Sequence, residues 1–210
     1  MIYLYTTYTT IYTTTTTMHT RTIWFDFETG GLNPFHHPII EIAAVDNMEN
    51  RFESLLKIDT PLSPKVIELT KITDELLATR GADYNTTIRN FHSYMTKTTQ
   101  PHTRTFMVAH NCDGFDKMFL KTALKKLGLS LPANIFFLDS LHVARYLMPE
   151  RTSFAQAYIA EKYRIDNPNP HRAMGDVCVL RSIWAKLTEL YGTKHDGQTN
   201  IIHIYNQIYM

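Results

Sequence analysis

The sequence has little cysteine, almost no net charge and no long apolar run. Its two cysteines, Cys112 and Cys178, cannot build a disulfide framework, which fits a reducing intracellular compartment, cytoplasmic or nuclear. The formal net charge of +1 excludes the strongly basic profile of a nucleic-acid coat protein but allows a local phosphate-binding groove. No apolar stretch is long enough to cross a bilayer, so we expect no membrane association.

The beginning of the chain also lacks acidic residues. Residues 1–21 are almost entirely threonine, tyrosine and isoleucine, a composition that matches neither a secretory signal nor a transit peptide. It predicts a low-complexity, disordered leader, with a short edge strand as the alternative. Residues 22–191 are predicted to form one domain, because 210 residues suit a single sizeable core. Residues 192–210 are left as a C-terminal tail.

Short apolar runs predict a sheet. Five strands are expected, at 22–28, 39–46, 51–58, 105–109 and 135–138. The short links between the first three indicate an antiparallel meander. Apolar residues at helical spacing predict helices over 84–98 and 114–127 and from His171 onward. Ser63-Pro64 and Thr73-Asp74-Glu75 each predict the start of a shorter helix, and Asp139 or Ser140 can cap a helix after the fifth strand. This order is typical of an α/β fold with a five-stranded mixed sheet flanked by helices.

An acidic pair lies at the end of the first predicted strand. Asp26 and Glu28 are two residues apart, so their side chains point to the same face of the strand. Their mutual repulsion costs free energy until a cation binds between them. Gly30 and Gly31 then form a tight turn where the backbone can approach a ligand. An isolated Asp-x-Glu pair would more often simply end a strand.

Two further acidic positions come later. Asp116 follows the fourth predicted strand, and His171 precedes Asp176 by five residues. Asp176 lies beside the apolar stripe of the last long helix, where an unpaired carboxylate is costly and a cation would relieve the cost. A histidine can take a proton from water near neutral pH. Alone, His171 would be interpreted as a loop histidine next to prolines.

Three segments together resemble the motifs of one family. Residues 26–32 (DFETGGL) resemble the first motif of the DEDD exonucleases, and residues 110–116 (HNCDGFD) the second. Residues 171–176 (HRAMGD) resemble the third motif of the histidine-bearing branch, the DnaQ-like or DEDDh 3′–5′ exonucleases. The resemblance covers about Thr22 to Tyr191 and implies a ribonuclease H-like fold.

The resemblance also implies a chemistry. Asp26, Glu28, Asp116 and Asp176 would hold two Mg²⁺ or Mn²⁺ ions at the scissile phosphate, and His171 would act as the general base. The expected activity is 3′–5′ exonuclease action on single-stranded or frayed DNA, releasing nucleoside 5′-monophosphates. A 3′–5′ exoribonuclease is the near alternative. A catalytically inactive nucleic-acid-binding or polymerase-tethering module is the alternative of another class.

The resemblance further suggests residues that contact the substrate. The candidates for gripping the terminal nucleotide are Thr29, Gly31, Leu32 and Ile72. His110 and Asn111 are candidates for stabilising the strand-to-helix turn and for contacting substrate. Lys71 stands where relatives carry glycine, which puts the terminal-nucleotide contact in question. The expected partners are DNA or RNA 3′ ends, and a DNA polymerase chain that the tail could contact; a homodimer is left open.

Overall fold

A computed structural model describes residues 18–98 and 100–210, so residues 1–17 of the predicted leader lie outside the described residues. One five-stranded sheet has the order β3-β2-β1-β4-β5. β1 and β3 run antiparallel to β2, and β4 runs parallel to β1 and β5. The strands are β1 His19–Thr29, β2 Ile39–Asp46, β3 Arg51–Leu55, β4 Thr103–Ala109 and β5 Ile135–Asp139. The predicted mixed sheet flanked by helices is confirmed.

Eight helices cover the described parts of the chain. They are α1 Pro64–Thr70, α2 Asp74–Arg80, α3 Tyr84–Thr96, α4 Asp116–Lys126, α5 Ser140–Leu147, α6 Gln156–Lys162, α7 Ala173–Lys194 and α8 Ile201–Tyr209. Among them, no helix combines the length and the apolar character needed to span a membrane. Asp139 caps α5 by accepting a hydrogen bond from the Leu141 N–H, as the sequence predicts.

The alternation of β1 places its side chains on two faces of the sheet. Ile23, Phe25 and Phe27 are buried in the core formed with α3 and α4. Trp24 packs instead against the core formed with α7 on the opposite face. Because side chains alternate along a strand, Asp26 and Glu28 share the face of Trp24. The sequence pattern of β1 therefore sets both carboxylates beside α7.

β1 extends beyond its parallel neighbour. Its pairing with β4 ends at Trp24 and Val108, so the last residues of β1 have no strand on that side. The start of α4 fills the position, where the Phe27 N–H donates a hydrogen bond of 3.2 Å to Asp116 Oδ1. The end of one strand thus holds the first residue of the next helix.

Three elements differ from the sequence predictions. β1 begins at His19, so residues 19–21, assigned above to the leader, pair in the sheet. Helix α6 was not predicted at all. The segment 192–210, treated above as a tail, contains the last turn of α7 and all of α8, and Ile204 is fully buried in the domain core. α8 thus packs on its own domain.

Candidate active site

A cavity of about 600 Å³ lies between the end of β1, the start of α4 and the loop before α7. It collects residues far apart in the sequence. All five predicted catalytic residues line it: Asp26, Glu28, Asp116, His171 and Asp176. The sequence therefore predicted which residues meet here.

Three of the carboxylates form a compact group. Asp26, Glu28 and Asp176 each offer an oxygen, and these atoms all lie within 4.8 Å of one another. Asp116 borders the group and is only 3% exposed. Oxygen donors at this spacing match what a hard divalent cation such as Mg²⁺ or Mn²⁺ requires, and the donors include no sulfur.

The electrostatics of the group point the same way. Burial, reinforced by the charges of Asp176 and Glu41, raises the pKa of Glu28 to about 8. Burial likewise raises the pKa of Asp116 to about 8. The pKa of Asp26 rises well above its ordinary value, because burial is joined by repulsion from Asp116 and Glu28. Without a cation these groups would hold protons near neutral pH, so the residues present fit a divalent metal site.

The loop that carries His171 is tied to Asp176. Asp176 Oδ1 accepts a hydrogen bond of 2.7 Å from Asn167 Nδ2, and Oδ2 accepts one of 3.0 Å from the His171 N–H. A side chain at Gly175 would come within 2.4 Å of the Asn169 carbonyl oxygen, so only glycine lets the loop lie so close to α7. The His171 side chain itself is exposed at the cavity mouth.

A partly buried ion pair anchors this loop to the sheet. Arg172 Nη2 lies 2.7 Å from Glu41 Oε1, and the Ala173 N–H donates 2.9 Å to Glu41 Oε2. Glu41 is 1% exposed in the middle of β2. Sequence reasoning missed this pair, although a glutamate inside the otherwise apolar run IIEIAAV signals that a buried partner is needed.

The predicted nucleotide-gripping residues separate into two groups. Thr29 Oγ1 donates to the Gly31 carbonyl at 2.8 Å, and the ring of His37 packs where a side chain at Gly31 would be. Leu32 projects into solvent from this turn, 84% exposed. Ile72, in contrast, is fully buried with other apolar side chains. The side chain of Ile72 is therefore unavailable to a nucleotide, and its predicted substrate role is not supported.

The departure at Lys71 leaves the turn intact. Lys71 ends α1 in a left-handed conformation with φ 59°, and its N–H donates to the Ile67 carbonyl. Glycine favours this conformation, which agrees with the glycine that the resemblance implies at this position. Lys71, Lys65 and His171 line a second groove next to the cavity.

His110 and Asn111 occupy the turn after β4. The His110 ring bonds the Ser140 hydroxyl at 2.8 Å and the Phe154 carbonyl at 2.7 Å, and burial lowers its pKa. Both ring nitrogens are thus engaged, which favours the stabilising role over substrate contact. Asn111 is exposed at φ 61° and lines the cavity, where it can meet substrate.

A second group of possible ligands lies behind this turn, at Asp113, Asp139 and His142. Asp113 accepts a hydrogen bond of 2.6 Å from Lys117 Nζ. The Asp139 carboxylate accepts backbone hydrogen bonds from Asn111 and Asp113. Their oxygens already have protein partners, so we assign Asp113 no metal role.

Comparison with known proteins adds a family and a fold. Residues 23–183 match the family model described as Exonuclease, RNase_T. DNA polymerase III PolC-type from Bacillus cereus is 36% identical over 156 residues, covering 72% of this chain and 10% of the relative. The Pediococcus pentosaceus counterpart is 29% identical over 199 residues, covering 90% of this chain and 13% of the relative. The chain thus spans about a tenth of the length of these relatives.

Solved structures of Escherichia coli exonuclease I share the fold. The complex with a dT13 oligonucleotide gives a TM-score of 0.70 at 20% identity, covering 84% of this chain and 42% of the other. The zinc-bound complex with single-stranded DNA gives 0.72 at 18% identity, covering 90% and 43%. With the family match over most of the domain, these findings confirm the resemblance drawn from the three motifs. The chain belongs to the DnaQ-like (DEDDh) exonuclease family of the ribonuclease H-like superfamily.

Proposed function

We propose that the chain is a metal-dependent 3′–5′ exonuclease that acts on single-stranded or frayed DNA and releases nucleoside 5′-monophosphates. The observation that carries the proposal is the convergence of four carboxylates and His171 on one cavity. A nuclease of this kind needs grouped carboxylates that can bind cations and a nearby proton acceptor, and residues of both kinds line the cavity.

The four carboxylates would hold two Mg²⁺ or Mn²⁺ ions. Bound ions would neutralise the scissile phosphate, activate water and stabilise the leaving 3′ oxygen. Asp26, Glu28 and Asp176 supply grouped oxygens, and Asp116 approaches from α4 with its Oδ1 fixed by the Phe27 N–H. Because the elements that carry these side chains belong to the domain core, the fold orients the ligands before any cation binds.

His171 would accept the proton of the attacking water. Its imidazole must be neutral to do so, so the rate should rise with pH as the ring loses its proton. The exposed position of His171 at the cavity mouth leaves the ring accessible to a water near the phosphate. The two hydrogen bonds between Asp176 and the loop would set the height of the ring above the carboxylates.

The choice of DNA and of a polymerase partner rests on the similar proteins. The PolC-type relatives are DNA polymerases, and the exonuclease I structures contain DNA oligonucleotides. We therefore propose that the chain removes nucleotides from DNA ends and associates with a DNA polymerase. Exposed Leu32 would contact the terminal base without reading its identity.

The test uses 5′-labelled single-stranded DNA and RNA of one sequence, incubated with Mg²⁺ or Mn²⁺. Wild type is compared with Asp26→Ala and with Glu189→Ala, an exposed acid on α7 outside the cavity. We expect a ladder that shortens from the 3′ end in wild type and Glu189→Ala but not in Asp26→Ala. Faster cleavage of RNA would assign the exoribonuclease activity instead. No cleavage of either substrate would contradict the proposal and favour a binding module.

A further inference from the structure

The last residue of α8 reaches the turn of the second motif. The Tyr209 hydroxyl accepts a hydrogen bond of 2.8 Å from the Asp139 N–H and donates one of 3.0 Å to Asp113 Oδ2. Burial raises the pKa of Tyr209, so its hydroxyl stays protonated and able to donate. A side chain from the C-terminal end of the chain thereby joins the end of β5 to residues 111–113.

Asp139 connects this hydroxyl to the turn. Its carboxylate is 1% exposed and accepts hydrogen bonds from the N–H groups of Asn111 at 2.9 Å and Asp113 at 3.1 Å. The same carboxylate caps α5 through the Leu141 N–H. The backbone and carboxylate of Asp139 therefore hold both Tyr209 and the turn.

The turn at residues 111–113 then determines where Asp116 lies. The Cys112 carbonyl accepts hydrogen bonds from the N–H groups of Phe115 at 3.3 Å and Lys117 at 3.0 Å, which start α4. Asn111 has a left-handed backbone, φ 61°. This conformation costs free energy, which neighbouring contacts must offset. A shift of this turn would move the first residue of α4, Asp116, away from the Phe27 N–H and from the carboxylate group.

We propose that Tyr209 is a positioning residue that holds the second-motif turn, and through it Asp116, in the geometry needed for divalent metal binding. Helix α8 is then a working part of the catalytic domain. Asp113 takes part as the acceptor of the Tyr209 hydroxyl, and hydrogen bonds from Lys117 and Tyr209 lower its pKa against the effect of burial. The inference rests on the proposed function only for its activity measurement.

The test compares two substitutions that each remove one hydroxyl from α8. Tyr209→Phe removes the bridge but keeps the ring, which stacks on Tyr205 at 5.1 Å between centroids. Tyr205→Phe is the matched control, because within the described residues the Tyr205 hydroxyl makes no hydrogen bond while its ring packs on Phe106 and Phe136. Asp113→Leu removes the same bridge from its acceptor side.

Mn²⁺ affinity is measured by calorimetry, and kcat and KM are measured on single-stranded DNA. We expect Tyr209→Phe and Asp113→Leu to weaken Mn²⁺ binding and lower kcat by about 10-fold, with little change in KM, as outer-shell losses commonly do. Tyr205→Phe should match wild type. Because calorimetry uses Mn²⁺ alone, a wild type that binds Mn²⁺ without cleaving DNA would contradict the proposed function and leave this inference testable.

Two results would overturn the inference. In the first, Tyr209→Phe matches wild type in Mn²⁺ affinity and kcat; a lower melting temperature in that variant would then make the bridge purely structural. In the second, Tyr205→Phe loses as much as Tyr209→Phe, which would assign the effect to general packing of α8.

Discussion

The two sides of the cavity are built in opposite ways. On the sheet side, Asp116 is 3% exposed and hydrogen-bonded to the end of β1, next to Asp26 and Glu28. On the loop side, the side chain of His171 is exposed, and its residue has a left-handed backbone at φ 59°. Among the described residues, no hydrogen-bond partner holds the His171 imidazole, whereas its backbone N–H is fixed on Asp176.

The difference separates two requirements of the proposed chemistry. Ligands for a divalent cation must be oriented before the cation arrives, and a rigid core must hold these mutually repelling carboxylates in place. A general base must instead remain open to water and change its protonation state. On the proposed function, the sheet side would serve metal binding and the loop side would serve proton transfer, and we expect that each can be disabled without the other.

Asp26→Ala removes a carboxylate from the sheet side and should have the largest effect. The substitution removes an oxygen donor from the compact group, so we expect metal-dependent turnover to fall to background, a loss of more than about 10⁴-fold. Single-turnover cleavage of labelled DNA measures the loss. Residual activity within about 10-fold of wild type would show that Asp26 is not a ligand.

His171→Ala removes the imidazole from the loop side. Loss of a general base commonly costs about 10²–10⁴-fold in kcat, while substrate affinity should stay close to wild type. Initial rates across a series of DNA concentrations in Mn²⁺ give kcat and KM and check both expectations. Unchanged turnover would remove His171 from the mechanism.

Arg172→Met removes the ion pair with Glu41 that joins the loop side to the sheet side. It leaves Glu41, which is 1% exposed, with the Ala173 N–H in place of two partners. Loss of a buried partner costs about 3–5 kcal/mol, and because Arg172 is partly exposed we expect about 2–3 kcal/mol in the free energy of unfolding. Urea denaturation measures it. Adding Glu41→Leu should restore part of the loss; a double variant that is less stable still would contradict a paired charge.

The pH dependence of stability tests the sheet side through small changes along a pH series. Glu28 and Asp116 hold protons in the folded, metal-free protein up to about pH 8, whereas unfolded carboxylates release them near pH 4. Between these values the folded state binds more protons than the unfolded state, so the free energy of unfolding should fall as pH rises.

We expect this fall to amount to about 1–2 kcal/mol for each pH unit between about pH 5 and pH 8, since one pKa unit corresponds to about 1.4 kcal/mol and the groups titrate together. Saturating Mn²⁺ should reduce it, because the cation replaces the protons. Urea denaturation along the pH series, with and without Mn²⁺, measures both slopes. A metal-free stability that rises over this window would contradict the proposed electrostatics of the carboxylates.

Much of this arrangement was predictable because its signals are local. The short apolar runs predicted the sheet, and the three motifs pointed to five of the residues that line the cavity. The start of β1 was missed because Arg21 is buried by partners distant in sequence, Asp46 and the carbonyls that end α3. The pairing of Glu41 with Arg172 spans 131 residues, so the sequence signals only that Glu41 needs a partner.

The missed helices have similar explanations. α6 is a seven-residue helix whose first turn has no side-chain cap, so its sequence carries no start signal. The apolar residues of α8 were visible, but only the folded chain shows that Ile204 packs in the core and that Tyr209 reaches Asp113. The burial of Ile72, which removes it from the substrate surface, is likewise a result of tertiary packing.

The most direct test of the separation between the two sides is calorimetric titration of Mn²⁺ into wild type, Asp26→Ala and His171→Ala without nucleic acid. We predict that wild type and His171→Ala bind Mn²⁺ with affinities that agree within about twofold, and that Asp26→Ala gives no binding heat. Undiminished binding by Asp26→Ala, or a loss in His171→Ala as complete as that in Asp26→Ala, would contradict the account.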